Sequence, residues 1–370
     1  MKKIFTAIIA ILVLAPTAQA IVHEPLEELY VKAQVNEVGE QKIEIDDMSP
    51  YYNPALPEPQ YVRIQDVTFE VLEGDYKGTI FPSKNELTGQ IFDLELAEGD
   101  KVLILLKKWD EETFEGFATD YIRNDSMVIF VILFMIALLV LGKWKGLRAL
   151  VSLVITVGAV FYILIPYTLQ GYDPLWLALG ICAIVTIATV LIIAGVNKKA
   201  YSAIIGTIGG VIFAALLAFI VSKIAILTGL SGEDARILYV NRPELSFFNI
   251  FFASIIIGAL GAIMDVGMSI SSSVHEIAEA NPKMSKMELV KSGMNVGRDI
   301  MGTMSNTLIL AYVGSSLPLL ILFSMNNFGM FQVINFDFMA AEIVRSISGS
   351  FGLLLAIPIT AFVAGFFRGK

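Results

Sequence analysis

Residues 247–273 read FFNIFFASIIIGALGAIMDVGMSISSS, an apolar run of about the length that crosses a lipid bilayer. An aspartate, Asp265, lies inside the run, and several serines follow it. An ionised carboxylate is unfavourable in hydrocarbon, so the rest of the chain has to supply polar surroundings for it. The run therefore predicts a membrane helix that carries a polar site.

The composition of the whole chain agrees with a polytopic membrane protein. The 370 residues are 56% hydrophobic and only 16% charged, which is too apolar for an ordinary soluble protein. The net charge is −9, and residues 21–124 hold 23 acidic against 9 basic residues, so the acidity belongs to one segment. No basic face for nucleic acid is present. A single cysteine, Cys182, excludes an intramolecular disulfide and a cysteine metal cluster.

The N-terminal third predicts an exported β domain. A positively charged start, an apolar middle and Ala18-Gln19-Ala20 are typical of a signal peptide over residues 1–20, with an uncleaved signal anchor as the alternative. Residues 21–124 then form a small extracytoplasmic all-β domain, either an OB-like barrel or a sandwich. Six β-rich runs separated by turn signals support it: YVKAQVNEV, QKIEID, YVRIQDVTFEVL, GTIFP, KVLILLKKW and EGFATDYI.

Residues 125–370 predict an α-helical membrane domain. The seven predicted transmembrane spans are 126–142, 149–169, 175–195, 203–229, 247–273, 301–324 and 341–367. Lys and Arg concentrate after the first, third, fifth and seventh spans, which places those segments and the C-terminus in the cytoplasm and the β domain outside. A cytoplasmic amphipathic helix is predicted near 285–298, opened by a capping box of Ser285 and Glu288 and lying on the inner membrane surface.

The spacing of polar residues in the fifth and sixth spans predicts a shared site. Ser269, Ser272 and Glu276 follow Asp265 at steps of four, three and four residues. In a helix this spacing places all four on one face. Gly258 and Gly261 extend that face with small residues that admit a neighbouring helix, so we expect Asp265 to point into the bundle. The sixth span carries a matching stripe. The predicted site residues are Asp265, Ser269, Ser272, His275, Glu276, Thr303, Asn306 and Thr307.

The residue types in these stripes favour proton coupling. A carboxylate in low-dielectric surroundings can exchange its proton near physiological pH, and hydroxyl and amide groups solvate it without adding charge. Neither span contains Lys or Arg to hold Asp265 ionised, and Lys223 lies near the outer end of its own span. His275 and Glu276 are placed to pass protons toward the cytoplasm, or they are ordinary exposed polar residues. The alternative for the stripes is hydrogen bonding that only holds the bundle, at about 0.6 to 2 kcal/mol per bond.

Several stretches resemble the YibE/F-like family of bacterial multi-pass membrane proteins. They are GAIMDVGMSISSSVHEI, SGMNVGRDIMGTMSNTLILAYVGSSLPLL and SFGLLLAIPITAF, together with FEVLEGDYKGTI, EGDKVLI and KWKGLR. The resemblance covers nearly the whole mature chain. It implies the membrane topology and little about chemistry.

The order of elements around Asp265 also resembles the last three spans of one half of SecD/SecF proteins and their RND-type transporter relatives. In those proteins a membrane aspartate couples proton flow to work outside the membrane. The resemblance implies that Asp265 matches the coupling carboxylate and that Thr303, Asn306 and Thr307 match the polar residues facing it. This chain differs from such a half in two ways. It has seven predicted spans and not six, and its external domain precedes the first span.

Two hypotheses of function follow, and both place the chain in the cytoplasmic membrane in contact with the lipid bilayer. The first is a proton-coupled transporter or export-assisting factor that acts with a second copy or a paralogue, while the β domain binds an envelope protein or a small-molecule cargo. The second is a scaffold or assembly protein whose β domain recruits envelope partners. An enzyme is not expected, because the sequence shows no second intramembrane aspartate, no trusted Ser–His pair and no cofactor motif or metal-ligand spacing. Gly206 and Gly210 form a GxxxG pair that suggests a homo-oligomer face.

Overall fold

The chain divides into two compact units. The computed structural model describes residues 27–45, 60–87, 93–109, 114–326 and 328–367. The signal peptide predicted over residues 1–20 lies outside these ranges. The units are Met1–Leu133, which holds the β strands, and Phe134–Lys370, which holds most of the helical residues.

The β strands of the first unit form one antiparallel sheet in the order β3-β2-β1-β4-β5. The strands are β1 (Glu27–Ile45), β2 (Gln60–Val71), β3 (Ile80–Leu87), β4 (Lys101–Lys108) and β5 (Phe114–Tyr121). The predicted all-β domain is confirmed, although the number of strands differs. The runs predicted as two strands, YVKAQVNEV and QKIEID, are one long strand because Gly39 stays in the ladder opposite Asp66 instead of turning.

The sheet has one buried apolar face and curls so that its two edge strands meet. Side chains alternate along β4, where Val102, Ile104 and Leu106 are fully buried. β1 pairs with β2 through its C-terminal part and with β4 through its N-terminal part, so it lies at the centre of the sheet. The two edge strands approach each other where the Ser83 hydroxyl donates to the Gly116 carbonyl. The result is a half-barrel, in keeping with the predicted OB-like class.

The rest of the chain is helical. The helices are α1 (Asn124–Ala159), a π-helical turn (Val160–Leu164), α2 (Ile165–Leu169), α3 (Pro174–Ala194), α4 (Lys198–Ile224), α5 (Glu233–Asn241), α6 (Phe247–Ala280), α7 (Lys286–Ser315), α8 (Leu317–Met325), α9 (Met330–Asn335) and α10 (Asp337–Phe366). Among the described residues, five helical segments are long and apolar enough to cross a membrane. The number becomes up to six if α7 and α8, bent by 58° relative to each other, form one span. The count of seven spans stays a prediction.

The first helical segment, Asn124–Leu169, contains a sharp break. Lys143 has φ 48° and ψ −127°, far from helical values. A side chain at Gly146 would collide with the backbone carbonyl of Leu138. In a straight helix residues eight apart are about 12 Å from each other, so the chain reverses its direction here. The break separates the residues predicted as the first span from those predicted as the second.

Glycines bring the central helices of the second unit into close contact. A Cβ at Gly210 of α4 would lie 2.7 Å from the Gly352 carbonyl of α10, and one at Gly206 would collide with the Thr360 hydroxyl. Such contacts are the usual way for membrane helices to approach. The Gly206–Gly210 pair, offered by the sequence as a homo-oligomer face, is therefore occupied within the chain.

The predicted amphipathic helix near 285–298 is the first part of α7 and is not a separate element. Its capping box is confirmed, since the Ser285 amide donates to the Glu288 carboxylate at 2.7 Å and the Glu288 amide donates to the Ser285 hydroxyl at 3.3 Å. A Cβ at Gly293 would lie 3.0 Å from the Cβ of Ala361 on α10. This segment packs against the bundle, in contrast to the expected position on the membrane surface.

Candidate functional site

Helix α6 presents two different faces. Its buried face packs against α4 and α10 and contains Ile263, Val266, Gly267, Ile270 and Ser271. Its other face carries the polar stripe that the sequence predicts. Along that face Gly258, Gly261, Asp265, Ser269 and Glu276 are exposed, and Ser272 is half-buried. The helical period therefore groups these residues as predicted.

The direction of the polar stripe differs from the prediction. Asp265 was expected to point into the bundle, but its side chain is exposed on the surface of the unit. The physical reason is that α6 uses a second set of small residues, including Gly267, for close packing: a Cβ there would lie 2.9 Å from the Thr207 hydroxyl. Asp265 is left without a hydrogen bond or an ion pair among the described residues.

The polar residues of α7 are also exposed and do not bond to Asp265. The Thr303 hydroxyl donates to the Ile300 carbonyl at 2.9 Å, and the Thr307 hydroxyl donates to the Thr303 carbonyl at 2.8 Å. Both bonds lie within one helix. Asn306 is exposed, and among the described residues its amide has no partner. Its two donors and its acceptor are available to a group that approaches this face.

Contacts between α6 and α7 place the two stripes at the same height. A Cβ at Gly258 would lie 2.6 Å from the Tyr312 hydroxyl, and one at Gly293 would lie 2.7 Å from Val274. The two helices therefore run antiparallel between these contacts. On α6, Asp265 lies a little less than halfway from Gly258 to Val274. The same fraction of the segment of α7 from Tyr312 to Gly293 ends at Thr303. The two stripes therefore lie at a similar height on exposed surfaces of α6 and α7, and we call them together the polar face: residues 258, 261, 265, 269, 272 and 276 of α6 and residues 303, 306 and 307 of α7.

His275 lies on a different side of α6 from the polar face. Its Nε2 atom lies 3.3 Å from the Glu279 carboxylate one turn further along the helix. Both side chains line a cavity with Lys198 and Lys199 at the start of α4. Glu276 stays on the polar face. The structure thus groups Glu276 with Asp265, and His275 with the lysines of α4.

Two cations on the helices that pack against α6 are engaged elsewhere. The Lys223 ammonium lies over the rings of Phe219 and Phe248, at 5.5 and 5.6 Å from their centroids. Arg345 donates to Glu342 at 2.8 Å on its own helix. No ion pair to Asp265 occurs in the ranges that the structure describes. Within those same ranges no cluster of three or more His, Cys, Asp or Glu side chains is arranged to hold a metal ion.

Sequence reasoning did not identify Tyr312 as part of this region. Its hydroxyl reaches the backbone of α6 at Gly258, and no larger residue fits at that position without displacing it. The signal is weak because it needs two separated residues, a glycine on one span and a tyrosine on the next. Tyr312 closes the polar face at the end opposite to Glu276.

A comparison with known families finds one match. Residues 130–370 match the model of the YibE/F-like protein family. The chain belongs to the YibE/F-like family. The match confirms the resemblance seen in the sequence, and it agrees with the apolar helices in identifying a membrane protein in contact with the bilayer. No curated protein and no solved structure matches the chain, so the resemblance to SecD/SecF and RND-type proteins stays a prediction.

Proposed function

We propose that this YibE/F-like protein is a proton-coupled transporter or export-assisting factor, and that Asp265 is the carboxylate that gains and loses the proton. The observation that carries the proposal is a carboxylate near the middle of a membrane-length helix that has no partner among the described residues, on a face lined by other polar residues. Intramembrane carboxylates in such positions typically mark proton relays and ion pathways.

The exposure of Asp265 argues for a polar environment outside the chain. An aspartate at the centre of a membrane helix disfavours insertion by about 2.5 to 3.5 kcal/mol when it meets lipid. The polar face presents several more polar groups beside it, so contact with lipid would add further unfavourable terms. We infer that a water-filled path, formed with a second copy or a paralogue, covers this face. Transporters commonly place their sites between two such halves.

The neighbouring groups suit a carboxyl that changes its charge. Thr303 and Thr307 place hydroxyl oxygens beside the stripe, and Asn306 offers both donors and an acceptor. The Asn306 amide can donate to the ionised carboxyl, and the two threonine oxygens, whose protons go to carbonyls of their own helix, can accept from the protonated carboxyl. None of these groups carries a fixed charge that would hold one form. Ser269, Ser272 and Glu276 continue the stripe to one end of α6, so a proton has a polar route along the helix.

The orientation of the route is part of the proposal. The end of α6, the start of α4 and the start of α7 carry His275, Lys198, Lys199 and Lys286. By the positive-inside rule we propose that this side is cytoplasmic and that the β unit is extracytoplasmic. Protons would then enter past Tyr312 and leave past Glu276 when transport runs inward.

Proton flux in proteoliposomes tests the proposal. The substitution Asp265→Asn keeps the size and hydrogen bonding of the side chain but removes the titratable group, so flux should fall to the level of empty liposomes. The matched control is Asp234→Asn, which removes from the short helix α5 an exposed carboxylate that has no partner in the ranges the structure describes. Equal flux through the wild-type and Asp265→Asn proteins would remove the coupling role.

A non-transporting scaffold is the second candidate function. The observation in its favour is that the β unit has its own hydrophobic core, built from residues such as Val35, Phe69 and Ile104, so it is equipped to act as a separate recruiting domain. In this case deletion of residues 21–124 abolishes the cellular phenotype and Asp265→Asn leaves it intact. We propose a non-enzymatic role in either case.

A further inference from the structure

A cavity with an unusual combination of charge and apolar surface lies at one end of the helical unit. Its volume is about 550 Å³, and it is lined by the start of α4, the last turns of α6 and the end of α10. All three elements are membrane-length helices, and the cavity lies at their ends. It is therefore at the depth where lipid headgroups meet the hydrocarbon.

Two lysine side chains line this cavity without a counter-ion. Among the described residues, Lys198 and Lys199 form no ion pair or side-chain hydrogen bond. Glu279 is the carboxylate of the cavity, and it pairs with His275 at 3.3 Å and not with the lysines. Two ammonium groups that share one cavity repel each other, and an anion between them removes that repulsion.

Two hydrogen bonds hold the backbone that carries the lysines. The Ser271 hydroxyl of α6 donates to the Lys199 carbonyl at 2.6 Å, which ties the first turn of α4 to the neighbouring helix. The Asn197 side chain caps α4 by accepting from the Ala200 amide at 2.8 Å. The lysines are thus placed at a helix N-terminus whose dipole adds to their positive potential.

The remaining wall of the cavity is apolar. Val274 and Ala278 of α6 and Ala364 and Phe367 near the end of α10 face it. A freely soluble anion gains nothing from such a wall, but an amphiphile with an anionic head and hydrocarbon chains satisfies both parts. Basic pockets between membrane helices commonly bind acidic lipid headgroups in this way.

We propose that this cavity binds a phosphate group, and that an anionic phospholipid is its source. The lysines hold the phosphate oxygens, and the acyl chains leave along Val274 and Phe367. The proposal does not depend on proton coupling, because none of these side chains belongs to the polar face.

Lipid binding to the purified full-length protein in neutral detergent, read by native mass spectrometry, tests the proposal. The wild-type protein should retain phosphatidylglycerol and not phosphatidylcholine. The double substitution Lys198→Gln with Lys199→Gln should weaken phosphatidylglycerol binding by about 25-fold, on the basis of roughly fivefold for each lysine near an acidic lipid. Glu279→Gln should strengthen it by about fivefold, because it removes a negative charge in the cavity that repels the phosphate.

The matched control is the double substitution Lys145→Gln with Lys291→Gln. Both of these lysines are exposed, line no described cavity and have no partner in the part of the chain that the structure describes. At 0.15 M salt, where surface charges are largely screened, they should change binding by less than about twofold. An equal loss from both double variants would overturn the cavity as the site.

Two further outcomes separate the sources of phosphate and guard against misfolding. Inorganic phosphate that displaces phosphatidylglycerol at millimolar concentration would overturn the lipid as the preferred ligand. If the lysine double variant does not fold, Glu279→Gln still decides the question, since unchanged lipid binding in that variant contradicts the proposal.

Discussion

The two faces of α6 use the same kinds of residue for opposite purposes. On the buried face Gly267 and Ser271 meet α4, one by admitting the Thr207 hydroxyl and the other by donating to a backbone carbonyl. On the polar face a Cβ at Gly261 would meet nothing within 4 Å, and Asp265 has no partner in the described chain. Small and polar residues thus occur both on the face of α6 that packs against another helix and on the face that does not.

The largest expected effect comes from adding a methyl group to each face. Gly267→Ala places Cβ against the Thr207 hydroxyl and 3.3 Å from the Ala203 carbonyl, so the free energy of unfolding should fall by about 1 to 3 kcal/mol. Gly261→Ala meets open space and should raise it by up to about 1 kcal/mol, because alanine favours the helix. Denaturation in detergent micelles measures both free energies of unfolding. Equal effects of the two substitutions would contradict the conclusion that one face of α6 is closely packed and the other open.

The reactivity of introduced cysteines distinguishes a hydrated helix face from one that contacts lipid. Ser269→Cys on the polar face should react with a membrane-impermeant thiol reagent at least about tenfold faster than Ile205→Cys on the exposed apolar side of α4, because only a hydrated thiol ionises readily. The native Cys182 is 2% exposed and serves as an internal negative control. Slow labelling at both positions would mean that the polar face is dry.

A smaller contrast comes from two serines on α6. Ser271→Ala removes the bond to the Lys199 carbonyl and should lower the free energy of unfolding by about 0.6 kcal/mol, the average for such interhelical bonds. Ser269→Ala removes an exposed hydroxyl that has no partner in the described residues and should change stability by less than about half that amount. The same detergent unfolding assay resolves the difference. A larger loss of stability in Ser269→Ala than in Ser271→Ala would mean that the polar face makes the more stabilising contact.

The smallest effect concerns an exposed carboxylate that has a partner. In the β unit the Glu95 carboxylate accepts from the Arg63 guanidinium at 2.8 Å, and this hydrogen bond lowers the pKa of Glu95. The pair therefore contributes stability that is complete above about pH 4.3, the unfolded value, and is lost as the pH falls through the folded pKa. Glu95→Gln should flatten that acid dependence slightly. Hydrogen exchange of β2 peptides at pH 6 and pH 3, corrected for intrinsic rates, measures it, and an unchanged profile would show the pair to be irrelevant.

Much of the architecture was predictable because membrane crossing demands long apolar runs. The predicted spans at 175–195, 247–273 and 341–367 lie on α3, α6 and α10, since apolar length is a strong signal. Helix boundaries were less accurate: α7 begins well before residue 301 because an amphipathic segment continues into the span without a break. In the sheet, the sequence divided residues 30–46 into two strands, but pairing with β2 keeps the chain extended through Gly39.

At the candidate site, sequence periodicity predicted which residues share a helix face but not which face is buried. Spacing correctly placed Asp265, Ser269 and Glu276 on one side of a helix, because the helical repeat is local. It did not reveal which side faces the bundle, because glycines lie on both. That choice depends on Gly206, Thr207 and Thr360, which belong to other helices and come together only in the folded chain.

The reversal at Lys143 has a consequence for membrane insertion. Forty-six residues of uninterrupted helix from Asn124 to Leu169 would extend about 69 Å, more than twice the hydrocarbon thickness. The missing side chain at Gly146 leaves room for the Leu138 carbonyl, so the chain can reverse here. If both arms cross the membrane, as the sequence predicts, they form a hairpin. A bulkier residue at Gly146 would force the turn apart, and for two membrane-spanning arms it would change the side of the membrane on which the chain emerges.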